Sequence, residues 1–95
     1  MPAYVIADVE VTDPATFEEY RTRVGATVEQ YGGRFIVRGG RTETLEGDYQ
    51  PHRVVVLEFP SYEQARRWYH SSEYAPLITM RQKAANTTAI LVEGA

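Results

Sequence analysis

The sequence predicts one α+β domain, an antiparallel four-stranded sheet with helices on one face. Three observations carry that prediction. Apolar residues alternate with period two in some stretches and with period 3.6 in the stretches between them. Glycine and proline fall at the junctions. The segments run in the order β-α-β-β-α-β, with a short extra helix before the last strand.

The first strand spans Ala3 to Val11, where Val5, Ala7, Val9 and Val11 point one way and Tyr4, Ile6, Asp8 and Glu10 the other. Asp13 offers an N-cap oxygen and Pro14 a fixed φ at the first helical position, so a helix starts there and runs to about Tyr31. Phe17, Tyr20, Val24, Val28 and Tyr31 form its apolar stripe, with Glu19 and Arg23 paired outside it. Gly32-Gly33 ends it, because glycine takes the left-handed C′ conformation without a Cβ clash.

A second strand over Arg34 to Arg38 places Phe35 and Val37 on one face and Arg34, Ile36 and Arg38 on the other. The stretch to His52, with Gly47-Asp48 and Pro51, reads as a long hairpin connection with scope to extend both strands. Arg53 to Phe59 is the third strand, with Val55, Leu57 and Phe59 on one face and Val54, Val56 and Glu58 on the other. Ser61 and Gln64 have capping-box spacing for a second helix to about Tyr69, whose buried side is Tyr62, Ala65, Trp68 and Tyr69. A short helix near Ala75 to Ala85 carries Tyr74, Leu77, Ile78 and Arg81 along one stripe, and Thr87 to Glu93 is the last strand.

This is the ferredoxin-like order, and right-handed crossovers put the first strand beside the third with the second and fourth at the edges. The helix-facing side is then Val5, Ala7, Val9, Phe35, Val37, Val55, Leu57 and Phe59.

The 95 residues are enough for one core and no second domain. Without cysteine there is no disulfide framework, thiolate nucleophile or cysteine-ligated metal. A formal charge of -3 argues against nucleic acid and anionic membranes as partners. The start has no basic n-region and no apolar run is long enough to span a bilayer, so a cytoplasmic protein is expected. Lys83 is the lone lysine and seven aromatics are tyrosine, so guanidinium groups and phenols are the main polar vocabulary of any site.

The opposite sheet face would carry Tyr4, Ile6, Ile36, Val54 and Val56 beside Asp8, Glu10, Arg34, Arg38 and Glu58. Each large aliphatic side chain left in water forfeits about 1.5 to 3 kcal/mol, so a homodimer packed through this open face is expected. On it Asp8, Arg38 and Glu58 form a charged group on neighbouring strands, either an ion-pair network closing the interface or a polar pocket. In the pocket reading Arg38 clamps a carboxylate or phenolate and Glu58 or Asp8 moves a proton. Arg81 either snorkels outward, the simpler reading, or reaches a buried acceptor. Tyr20, Tyr69 and Tyr74 are core fillers or pocket hydroxyls. His52 and His70 look solvent-facing. Neither a metal site nor a phosphate-binding glycine pattern is expected, and no cofactor is implied.

The segments Gly-Gly-Arg-Phe-Ile-Val-Arg-Gly-Gly (Gly32 to Gly40), Glu-Gly-Asp-Tyr-Gln-Pro (Glu46 to Pro51), Val-Val-Val-Leu-Glu-Phe-Pro-Ser (Val54 to Ser61) and Trp-Tyr-His-Ser-Ser-Glu-Tyr (Trp68 to Tyr74) resemble the domain-of-unknown-function family number 1330. The resemblance implies a ferredoxin-like dimeric α/β barrel, related in fold to cofactor-free monooxygenases of antibiotic biosynthesis, muconolactone-isomerase-like proteins and stress-responsive barrel proteins. It transfers no catalytic role, since the family has no established activity. Its matching positions with access to a pocket are Arg38, Glu58, Trp68, Tyr69, Ser71 and Tyr74. Tyr49 stands where relatives often have tryptophan, and His70 where asparagine is common.

The substrate-binding candidates are therefore Asp8, Arg38, Glu58, Tyr69, Ser71, Tyr74 and Arg81. The leading expectation is a dimeric barrel that binds a small carboxylated or aromatic metabolite, acting as a binding protein or a cofactor-independent enzyme. The alternative is a non-catalytic dimeric scaffold or partner-binding module, with a heme or metal protein of this fold third.

Overall fold

The computed structural model describes residues 1–95. Its elements are β1 (Ala3–Val11), α1 (Pro14–Gln30), β2 (Arg34–Arg38), β3 (Val54–Phe59), α2 (Tyr62–Tyr69), α3 (Ala75–Ala84) and β4 (Ala85–Glu93). Every element expected from the sequence forms, with ends that agree to within two residues. The largest difference is at β4, which begins early because Ala85 turns extended directly after α3 and leaves no loop between them.

Local chemistry sets the helix ends. Asp13 accepts from the Thr16 amide at 3.3 Å and the Thr16 hydroxyl at 2.7 Å, while Pro14 occupies the first turn. At the other end of α1 the Gly32 amide donates to the Glu29 carbonyl and the Gly33 amide to the Val28 carbonyl, with Gly32 at φ +80°. That pairing closes the last turn in the manner only a left-handed residue allows. Ser61 caps α2 by accepting from the Gln64 amide at 3.1 Å.

The sheet order is β2-β3-β1-β4 with all neighbours antiparallel, the ferredoxin-like arrangement. Val5 faces Leu57 on one side and Leu91 on the other, while Ile6 faces Val56 and Ile90. One set points to the helices and the other away from them. The core between sheet and helices centres on Trp68, Phe59 and Val28. Trp68 stacks on Tyr74 with ring centres 4.1 Å apart, and its Nε1 donates to Thr27 on α1 at 3.0 Å.

Strict alternation fails in β2. Phe35 pairs with Leu57, but the next pairs are Val37 with Val56 and Arg38 with Val55, so Ile36 is an extra, bulged residue. The expected places of Val37 and Arg38 are thereby exchanged: Val37 belongs to the open face and Arg38 to the helix-covered face. The connection over 39–53 adds no strand to either side.

Within one chain the sheet stays open, with β2 and β4 as edges. Its uncovered face is more apolar than expected, since Ile90 and Val92 of β4 and Val37 join the set read from the sequence, and Ile90 is 62% exposed. No helix is long and apolar enough to cross a membrane.

Candidate functional site

A cavity of about 60 Å³ lies between the helix-covered face of the sheet and α1, α2 and α3. Val5, Ala7, Val55 and Leu57 supply its floor. Trp68, Tyr69 and Tyr74 wall it from the α2–α3 side, and Phe17, Tyr20 and Val24 from α1. Its polar groups are Arg21, Arg38, Arg53, Arg81 and Thr87 besides the tyrosine hydroxyls. No aspartate, glutamate or histidine lines it.

Arg38 reaches this cavity because of the β2 bulge. Its guanidinium carbon lies 4.1 Å from the centre of the Phe35 ring, a cation–π contact that holds an otherwise exposed side chain against the rim. Arg53 enters from the residue before β3 and shares the face of Val55 by alternation. Its guanidinium occupies the space where a side chain at Gly39 would project, and Gly39 adopts φ +74°, so this glycine both makes the turn and makes the room.

Arg81 is 8% exposed, so it does not snorkel into solvent as the simpler sequence reading had it. It faces the hydroxyls of Tyr20 and Tyr74, which are 2.7 Å apart. Burial pulls the Arg81 pKa down, but the Tyr74 and Tyr20 oxygens outweigh it and leave the group above its ordinary value. Burial, reinforced by Tyr74, also pushes the Tyr20 phenol far above its ordinary value. A phenol is neutral at pH 7, so Arg81 meets dipoles there rather than a negative charge.

The structure thus brings together Arg38, Tyr69, Tyr74 and Arg81 from the residues singled out in the sequence. It separates them from Asp8, Glu58 and Ser71. The expected Asp8/Arg38/Glu58 group does not form: the bulge turns Arg38 to the other side of the sheet, and Asp8, opposite Val54, stands four residues along the sheet from Glu58, which is opposite Tyr4. Glu58 remains on the open face and pairs with Arg34 across the strands at 2.8 Å. Ser71 is buried in the α2–α3 turn, where its hydroxyl donates to the Trp68 carbonyl at 2.7 Å and accepts from the Tyr74 amide at 3.1 Å.

Asp8 anchors the long connection instead. Its Oδ1 accepts from the amides of His52 at 2.8 Å and Arg53 at 3.0 Å. Loss of water raises the Asp8 pKa, but these two amides, with Tyr49 and the His52 side chain, outweigh that effect and hold it below the usual carboxylate range. Asp8 is therefore a positioning residue for Arg53. His52 is exposed as expected, with its ring nitrogens 3.6 Å from carboxylate oxygens of Asp8 and Glu10. No three His, Cys, Asp or Glu side chains gather into a set that could hold a metal ion.

Sequence reasoning passed over Arg53 and Thr87 as site residues. Both were within reach, since Arg53 continues the Val55, Leu57, Phe59 alternation and Thr87 continues the one that carries Leu91.

The fold is shared by solved structures of low sequence identity. A protein of unknown function from Rhodopseudomonas palustris, RPA0582, is 19% identical with a TM-score of 0.77, over 99% of this chain and 82% of that one. A protein from Jannaschia sp. CCS1, described as a dimeric ferredoxin-like protein of unknown function, is 11% identical with a TM-score of 0.74, over 99% and 100% of the two chains. SnoaB from Streptomyces nogalater, described as a cofactor-independent oxygenase, is 18% identical with a TM-score of 0.67, over 99% and 93%. No curated protein matches the sequence. The model of a domain of unknown function, DUF1330, matches residues 2–95, and the chain belongs to that family.

Proposed function

We propose that this chain is one subunit of a dimeric α/β barrel that binds a small aromatic or carboxylated metabolite in the helix-covered cavity. The observation that carries the reading is the cavity's composition: an apolar, ring-lined space with a few convergent polar groups, the usual make-up of a small-molecule site. The homodimer would pair the two open faces, covering Ile6, Ile90 and Val92 and closing two open sheets into one barrel. The Jannaschia protein, described as dimeric, supports that assembly through its shared fold.

Binding takes precedence over catalysis in this reading. Asp8 and Glu58, the proton-moving groups of the pocket expected from sequence, lie outside the cavity, and no other carboxylate or histidine lines it. Chemistry on a bound molecule would fall to the Tyr20/Tyr74/Arg81 group, whose donors suit the stabilisation of a developing oxyanion. The Streptomyces relative, described as a cofactor-independent oxygenase, makes such a role worth testing once a ligand is in hand.

Trp68 is the only tryptophan and lines the cavity, so its emission reports occupancy. Titration with single-ring compounds such as p-cresol, benzyl alcohol and benzoate should give a saturable change that Ala89→Phe, which fills the cavity, abolishes. No saturable change with any of them, or an unaltered one in Ala89→Phe, would favour the scaffold reading.

A further inference from the structure

Three arginines converge on the cavity without a counter-ion. The arginine–carboxylate ion pairs engage Arg21, Arg23 and Arg34, and none reaches Arg38, Arg53 or Arg81. Arg81 is buried all the same. Buried charges are ordinarily paired, because loss of water penalises an isolated ion heavily.

Two further polar atoms at the cavity have no partner. Arg53 Nε and Thr87 Oγ1 are both buried and both lack a hydrogen bond. They sit in one row of the sheet on either side of Val9, for the Arg53 carbonyl accepts from the Val9 amide at 2.9 Å and Thr87 pairs with Val9 in register. Thr87 and Arg81 also share the groove along the β4 edge. Buried donors are nearly always satisfied. At the β4 end the unpartnered Thr87 hydroxyl and the buried Arg81 without a counter-ion belong to the same place, and a guanidinium fork with an adjacent hydroxyl matches a planar carboxylate.

We infer that Thr87 and Arg81, which share the β4 end of the cavity, form the receptor for the carboxylate of a compact, mostly apolar acid. The inference rests on the cavity reading above and narrows its ligand to one chemical class. The body of the acid lies on the floor made by Ala7 and Val55, next to the rings of Trp68 and Tyr74. The size is bounded as well: about 60 Å³, less than half of the roughly 150 Å³ that encloses a benzene ring, takes the carboxylate and a short apolar stem, and a ringed acid keeps part of its ring at the open mouth.

Isothermal titration calorimetry at neutral pH tests this with matched acids and neutral amides: benzoate with benzamide, and phenylacetate with phenylacetamide. The wild-type protein should bind each acid about tenfold or more tightly than its amide, as a charge-assisted fork requires. Arg81→Met should bring that preference near unity while amide binding persists. Thr87→Val removes an oxygen with no partner in the fold, so it should reduce the preference several-fold without disturbing stability, and it keeps the test decisive if Arg81→Met unfolds. Equal binding of acid and amide by the wild type would overturn the carboxylate receptor and leave the cavity reading standing. Failure of all four compounds to bind would overturn both.

Discussion

The hydroxyls of Tyr20 and Tyr74 meet 2.7 Å apart inside the protein and tie the middle of α1 to the residue that opens α3. Both rings also face the cavity, so one contact serves packing and site together. Tyr20→Phe keeps the ring and removes the bond, at an expected cost of about 1 to 2 kcal/mol. In a chain of this size each kcal/mol lowers Tm by about 4 to 8 °C. Calorimetry showing an unchanged Tm would mean that the pair contributes nothing to holding α1 against α3.

Asp8 gives the protein an acid-sensitive tether. Its folded pKa lies below the ordinary aspartate value because the His52 and Arg53 amides, with Tyr49, hold the charged form. A depressed carboxylate contributes stability that is present above the unfolded pKa and is lost as pH falls through the folded one. Wild-type stability in urea should therefore drop below about pH 4, near the free aspartate pKa. Asp8→Ala should be less stable at neutral pH and should lose less on acidification. Parallel pH profiles for the two proteins would count against the tether.

The open face makes a separate prediction. Ile90 is its most exposed large residue and pairs with Ile6 at the middle of β1. In a two-fold dimer, Ile90→Lys places two ammonium groups on the apolar interface at once. Association should weaken by about a hundredfold or more. Light scattering after size-exclusion chromatography should show a dimer for the wild type and a monomer for the variant at micromolar concentration. A wild-type monomer would remove the dimer from the account.

The fold was legible in the sequence because each element carries its own local signal. Asp13-Pro14 opens α1, Gly32-Gly33 closes it, and alternation in β1 and β3 assigns both sheet faces correctly. The site was legible only in part. Tyr69, Tyr74 and Arg81 follow helical spacing, and the structure brings them to the cavity. Arg38 was assigned to the wrong face because a bulge at Ile36 leaves no distinctive residue behind, and one extra residue reverses everything after it. The β1–β3 register, which alternation does not reveal, further separates Asp8, opposite Val54, from Glu58, opposite Tyr4. Arg53 escaped notice for a different reason. Its role depends on the amide held by Asp8 and on the space left by Gly39, both contacts between positions far apart in sequence.

The central claim is that the ligand site lies on the helix-covered side of the sheet, with the open face reserved for a second copy. Intermolecular NOEs between bound benzoate and assigned methyl groups test it most directly, since alternate residues of each strand report on opposite faces. The account predicts NOEs to the methyls of Ala7, Val55 and Ala89 and none to those of Ile6, Val56 and Ile90. NOEs to Ile6, Val56 and Ile90 would place the ligand on the open face and contradict it.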